Sequence, residues 1–334
     1  MKKILCAFTA LLLILSCASI TTGLTEERQL SVVTTIFPIY DWVRETVGED
    51  ASHVNLTLLL DNGVDLHSYQ PTAQDILTIS TADLFIYVGG ESDEWVEDVL
   101  ASAINPGLKA ISLVEAMGED IRMEEIVEGM EHEHDHDHDE DEDEEHEEEH
   151  GHEEEEEADE HVWLSLRSAQ KLTSAIAETL AEIDPDYAEQ YRANAAAYLD
   201  RLATLDARYA ETVSTAAFKT ILFGDRFPFR YLADDYGLDY YAAFTGCSAE
   251  SEASFATIIF LAQKVDELGL PAVLTIEHPK TRIADTVVQN TSSKDQKILV
   301  LDSMQGTTSA DIAAGMTYLS VMESNLEVLK EALN

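Results

Sequence analysis

Short β-branched apolar runs alternate with stretches of helical period, and the alternation occurs twice along the chain. In the first half Ser31-Val32-Val33-Thr34-Thr35-Ile36 reads as a strand, Ile39 to Val47 as a helix, Val54 to Leu60 as a strand, Thr72 to Thr81 as a helix, Leu84 to Val88 as a strand and Trp95 to Ser102 as a helix. In the second half strands are expected at Lys219 to Phe223, Tyr240 to Phe244, Ala272 to Ile276 and Ile298 to Leu301, with helices at Phe229 to Tyr236, Phe255 to Leu268, Thr281 to Gln289 and Met316 to Leu333. Strands separated by helices pair through crossovers, which makes the sheets parallel. Between the two series, Leu166 to Ile183 is rich in helix formers and is stopped at Asp184-Pro185. Tyr187, Tyr191, Ala195, Tyr198, Leu202, Leu205 and Tyr209 then recur at helical spacing, the pattern of one long helix from Asp186 to about Val213. The expected fold is α/β: a parallel-sheet lobe over 29–184, a connecting helix over 185–214 and a second parallel-sheet lobe over 215–334. A chain of 334 residues is long enough for two such cores. Open α/β sheets bind ligands beyond the carboxyl ends of their strands, so the loops there are where chemistry is sought.

One segment, about 118–160, breaks the pattern. Of the 66 acidic residues, 21 lie between Glu131 and Glu160, with no Lys or Arg among them. So polar and self-repelling a stretch has nothing to bury and is expected to be a disordered loop. The formal net charge of -46 argues against nucleic acid or an anionic lipid surface as a partner and favours cations.

The start of the chain carries an address. Lys2 and Lys3 precede an apolar run from Ile4 to Leu15, the form of a secretory signal and too short to span a bilayer. Ile14-Leu15-Ser16-Cys17 resembles a lipobox, which implies a signal peptide over 1–16, lipidation at Cys17 and a tether over 17–28. Ordinary cleavage beside Ser16 or Ala18 is the alternative. Export is expected either way, with the chain extracytoplasmic and, if lipidated, anchored to the bacterial cell membrane. With Cys6 removed and Cys17 lipidated, Cys247 stands alone, so no intramolecular disulfide can form in the mature chain and the core must supply stability.

Four residues at strand-end loops suit a borderline cation such as zinc or manganese: His67, His161, Asp225 and Asp302. Each has a plainer reading. A loop histidine can be a solvated side chain, and a strand-terminal Asp can cap the next helix. His132, His134, His136, His138, His146, His150 and His152 form a second group, inside the acidic segment. A flexible chain can gather several of these imidazoles around zinc as a low-affinity collector, or the tract can be a solvated insertion that binds metal incidentally.

The chain resembles the metal-specific solute-binding lipoproteins of ABC importers for zinc and manganese, from about Ser31 to Leu333. The marks are Val32-Val33-Thr34-Thr35, His67 with Tyr69-Gln70-Pro71, Thr81-Ala82-Asp83-Leu84, His161-Val162-Trp163-Leu164 and Asp302. The resemblance implies a metal cleft between the two lobes, with His67 and His161 as ligands from the first and Asp302 from the second. It departs at the third position, where the family places His or Glu and this chain reads Gly224-Asp225-Arg226-Phe227. Asp225 is the nearest oxygen ligand; Glu277, His278 and Cys247 are the alternatives. The His-rich tract is similar to that of zinc-specific members, whereas two His with two carboxylates equally suits manganese.

These features imply an importer's capture component, taking zinc (alternatively manganese) and handing it to an ABC permease with its ATPase, acting as a monomer. Histidine protonation near the usual pKa of about 6.5 should release the metal. A zinc hydrolase needs an open coordination position and a general base, and no His-Glu-x-x-His motif is present. No enzyme is expected. A surface adhesin or metal buffer is the remaining alternative.

Overall fold

Val32 and Val33 show why the strands read as unbroken apolar runs. Both are fully buried, one on each face of a sheet covered on both sides. The computed structural model describes residues 28–49, 51–130, 157–248, 252–276 and 281–334. The signal segment with Cys17, the histidines from His132 to His152, Glu277 and His278 lie outside the described residues.

The first sheet is four-stranded and parallel: β1 (Leu30–Thr34), β2 (Val54–Leu58), β3 (Leu84–Tyr87) and β4 (Lys109–Ser112), in the order β2-β1-β3-β4. Val32 pairs with Leu56 on one side and Leu84 on the other. Helix α1 (Phe37–Val47) follows β1 and carries Pro38 in its first turn, where no amide hydrogen is needed. Helix α2 (Ala73–Ser80) opens with a reciprocal Thr72–Asp75 cap. Helices α3 (Trp95–Ala101) and α4 (Leu113–Met117) complete this part of the chain. Strand β4 and helix α4 were not anticipated, because Lys109-Ala110-Ile111-Ser112 carries one β-branched residue and no strand-like run.

Helix α5 (Leu166–Ile183) and helix α6 (Ala188–Thr215) are joined by a 3₁₀ turn at Pro185–Tyr187. The 28 residues of α6 span about 42 Å. One stripe of it is buried: Tyr191, Ala195, Tyr198, Leu202, Leu205, Tyr209 and Val213. Near its start, Asn194 donates to the carbonyls of Thr46 and Val47 at the end of α1. Gly48 there has φ +86°, and a Cβ would sit 2.5 Å from the Asn194 amide nitrogen. Near its end, the Tyr209 hydroxyl donates to Met322 O, 2.6 Å away, in helix α11 (Tyr318–Ala332).

In the second lobe β5 (Thr220–Leu222) pairs in parallel with β7 (Asp239–Tyr241), and β9 (Ala272–Thr275) with β10 (Lys297–Val300). A parallel bridge between Phe223 and Leu274 joins the pairs. Beyond Gly224-Asp225, β6 (Arg226–Phe227) pairs with β8 (Phe244–Thr245). Helices α7 (Arg230–Tyr236), α8 (Phe255–Leu268), α9 (Arg282–Asn290) and α10 (Ser309–Ala313) are interspersed with these strands along the chain. No helix among the described residues is long and apolar enough to cross a membrane.

Disorder beginning at about residue 118 is corrected by the structure, which is ordered over 118–130 and 157–160. Met123 and Ala158 form an antiparallel bridge, and Tyr231 Oη accepts from Arg122 N–H while donating to Asp159 O. Met130 is buried. The base of the acidic segment is thus bound to both lobes, a constraint that its composition hides.

Candidate metal centre

His67 lies in a 3₁₀ turn, Leu66–Ser68, in the loop after β2. Buried Leu66 anchors the turn, and Asp65 caps it by accepting from His67 N–H at 3.1 Å. Its Nδ1 meets the Ser92 hydroxyl at 2.7 Å and lies 3.7 Å from Glu160 Oε2, while Glu160 Oε1 accepts from Ser92 N–H at 2.9 Å. A carboxylate beside Nδ1 favours the hydrogen on that nitrogen and leaves the Nε2 lone pair toward His161.

His161 is fully buried at the head of the 3₁₀ turn Val162–Leu164. Asp159 accepts from its backbone N–H at 2.8 Å and meets its Nδ1 at 2.9 Å. An acidic partner on Nδ1 again leaves Nε2 as the free electron pair, the carboxylate–histidine arrangement that orients a metal ligand. The two Nε2 atoms stand 3.2 Å apart. Two nitrogens bound to one tetrahedral zinc lie about 3.3 Å apart, so the separation matches one edge of such a site. Burial foremost, and then the neighbouring His161, lower the pKa of His67 to about 3. The direction of that shift favours the neutral imidazole that a metal requires.

A third group belongs to the cluster. His67, His161 and Cys247 offer ligand atoms that all lie within 4.8 Å of one another, and no other such His, Cys, Asp or Glu group occurs among the described residues. The Gln305 amide nitrogen adds a polar face, 3.2 Å from His67 Nε2 and 3.3 Å from His161 Nε2.

Asp225 and Asp302 are not brought into this group. The carboxylate of Asp225 is taken up inside the second lobe. Its Oδ1 accepts from Arg226 N–H, and its Oδ2 accepts from the Thr275 hydroxyl at 2.6 Å and from Ile276 N–H at 3.3 Å. It staples the end of β5 to the end of β9. Asp302 shapes a turn: its Oδ1 accepts from Met304 N–H at 2.7 Å, with Met304 at φ +62°, and Gln305 follows immediately. Gln305, Asp159 and Ser92 are the contributors that sequence reasoning missed. Asp159 stood two residues before His161; Gln305 and Ser92 carried no signal.

The chain matches the family model described as zinc-uptake complex component A, periplasmic, over residues 32–332. The zinc-binding lipoprotein AdcA of Streptococcus pneumoniae is 34% identical over 335 residues, 99% of this chain and 61% of that protein. The chain thus spans about three-fifths of the length of these streptococcal relatives. The high-affinity zinc uptake system protein ZnuA of Bacillus subtilis is 31% identical over 325 residues, covering 96% of this chain and 94% of that protein. The crystal structure of the zinc-bound ZnuA-like domain of S. pneumoniae AdcA superposes with a TM-score of 0.69 at 30% identity, over 91% of this chain and 99% of that one.

Proposed function

The chain belongs to the family of periplasmic A components of zinc-uptake complexes, and from that premise we propose that it captures extracytoplasmic zinc and delivers it to an ABC permease driven by its ATPase. The observation that carries this reading is the pair of imidazoles, His161 fully buried and His67 partly so. Both are held on Nδ1 by acidic or hydroxyl partners, and their Nε2 atoms face each other at 3.2 Å. His67 and His161 hold the cargo. Glu160 and Asp159 sit behind them and offset the ion's charge.

Anchoring through a lipid on Cys17 keeps the protein beside its permease, and the tract from His132 to His152 gathers zinc for the cleft. Both belong to the proposal and lie outside the described residues. Support for anchoring comes from the lipobox-like Ile14-Leu15-Ser16-Cys17 and from the relative named a lipoprotein. Capture and release require no activated water, so the role is binding rather than catalysis.

Zinc-limited growth tests the role. Cells that rely on this chain as their sole high-affinity binding component should grow with the wild-type protein. They should fail with His161→Ala protein made at equal levels and regain growth on added zinc. Equal growth of the two strains in zinc-poor medium would remove the proposal.

A further inference from the structure

Resting on the zinc-capture reading of the His67–His161 pair, the geometry points to Cys247 as the third ligand of the cargo, so that the site is a two-imidazole, one-thiolate site selecting zinc over manganese. The loop that carries Cys247 is built against the histidines rather than placed beside them by chance. Gly246 packs on the ring of His161: a Cβ there would meet Cε1 at 2.9 Å, Nδ1 at 3.0 Å and Phe227 O at 3.0 Å. Only a residue without a side chain lets the strand end pass so close. On the other side of the sulfur, Cys247 N–H donates to Glu124 Oε1 at 3.0 Å. Arg226 then fixes the next residue, donating from Nη1 to Ser248 O at 3.3 Å while its Nη2 holds Asp65 Oδ2 at 2.6 Å. One guanidinium therefore ties the loop of Cys247 to the loop of His67. Three contacts hold residues 246–248 in place, and the sulfur lies within 4.8 Å of one ring nitrogen of each histidine.

Zinc binds thiolate at about 2.3 Å and imidazole nitrogen at about 2.0–2.1 Å, so in a shared tetrahedral site sulfur and nitrogen stand about 3.6 Å apart, and the loop of Cys247 has to close a separation of at most 4.8 Å to that edge on binding. Binding forms the metal–sulfur bond and releases the thiol proton to solvent, with no change of oxidation state. A thiolate is a soft donor that suits zinc and disfavours manganese, which prefers oxygen. The conflict left by counting two histidines and two carboxylates disappears, because neither Asp225 nor Asp302 joins the group.

The test uses cobalt(II) as a spectroscopic substitute for zinc in the full chain. One equivalent should give a near-ultraviolet thiolate-to-cobalt charge-transfer band in the wild type and none in Cys247→Ser protein. Zinc affinity should fall in Cys247→Ser by more than the roughly 10–100-fold that loss of an outer partner costs, and the preference for zinc over manganese should shrink with it. Absence of the band in cobalt-loaded wild type, or its persistence in Cys247→Ser, overturns the thiolate ligand. If Cys247→Ser does not fold, the wild-type spectrum alone decides. His161→Ala tests the underlying reading separately: tight zinc binding that survives that change refutes the histidine site itself, whatever the cobalt spectrum shows.

Discussion

At the scale of single residues the centre is a set of orientations rather than of ligands alone. Asp159 holds His161 by two contacts and decides which ring nitrogen is free. Replacing it by Asn keeps the size but removes the charge, so zinc affinity should fall roughly 10–100-fold with little change in melting temperature. Calorimetric titration beside a thermal melt checks both, and unchanged affinity would mean that the carboxylate does not orient the ring. Elsewhere Asp41, fully buried, has its carboxyl pushed up to about 6 by desolvation, against the opposing pull of Arg44 and of Tyr318 N–H. The folded state then holds the Asp41 proton more tightly than the unfolded chain does. That stabilisation is complete below about 3.8 and is lost as pH rises through about 6. Asp41→Asn keeps an acceptor for Tyr318 N–H and does not ionise. From pH 4 to pH 7 the wild type should therefore lose up to about 3 kcal/mol relative to Asp41→Asn in urea denaturation. A constant difference across that range would contradict the buried, raised carboxyl.

At the scale of elements, the long helix was the most legible feature of the sequence. Seven residues at helical spacing, from Tyr187 to Tyr209, announced it, and six of them form its buried stripe together with Val213. Leu202, fully buried at its middle, should cost about 2–5 kcal/mol when truncated to Ala, measured by denaturant unfolding. A loss below 1 kcal/mol would show that the stripe does not bear the packing. His161 was legible because Val162-Trp163-Leu164 ties it to the core, and His67 because it stands in a polar loop just after a strand and carries the family's motif. The third position was not. Spacing suggested Asp225 from the end of β5, but the neighbouring strand end offers Thr275 and Ile276 as partners for that carboxylate, a tertiary fact invisible in one sequence. Gln305 was hidden for a related reason, since it reaches the histidines only through the turn that Asp302 and Met304 impose.

At the scale of the whole molecule, the parts that meet at the centre come from distant stretches of chain, and Arg226 links them by pairing with Asp65 while holding Ser248 O. Arg226→Met should release the loop of His67 and lower zinc affinity roughly 10–100-fold, read by competition with a chelator. Retention of full affinity would make that ion pair incidental to the site. The central claim is that one zinc ion sits between the imidazoles of His67 and His161. Anomalous scattering at the zinc edge from crystals of zinc-loaded protein tests it most directly. The account predicts a single strong peak about 2.0–2.1 Å from both His67 Nε2 and His161 Nε2. Zinc peaks elsewhere, with none between those two nitrogens, would contradict it.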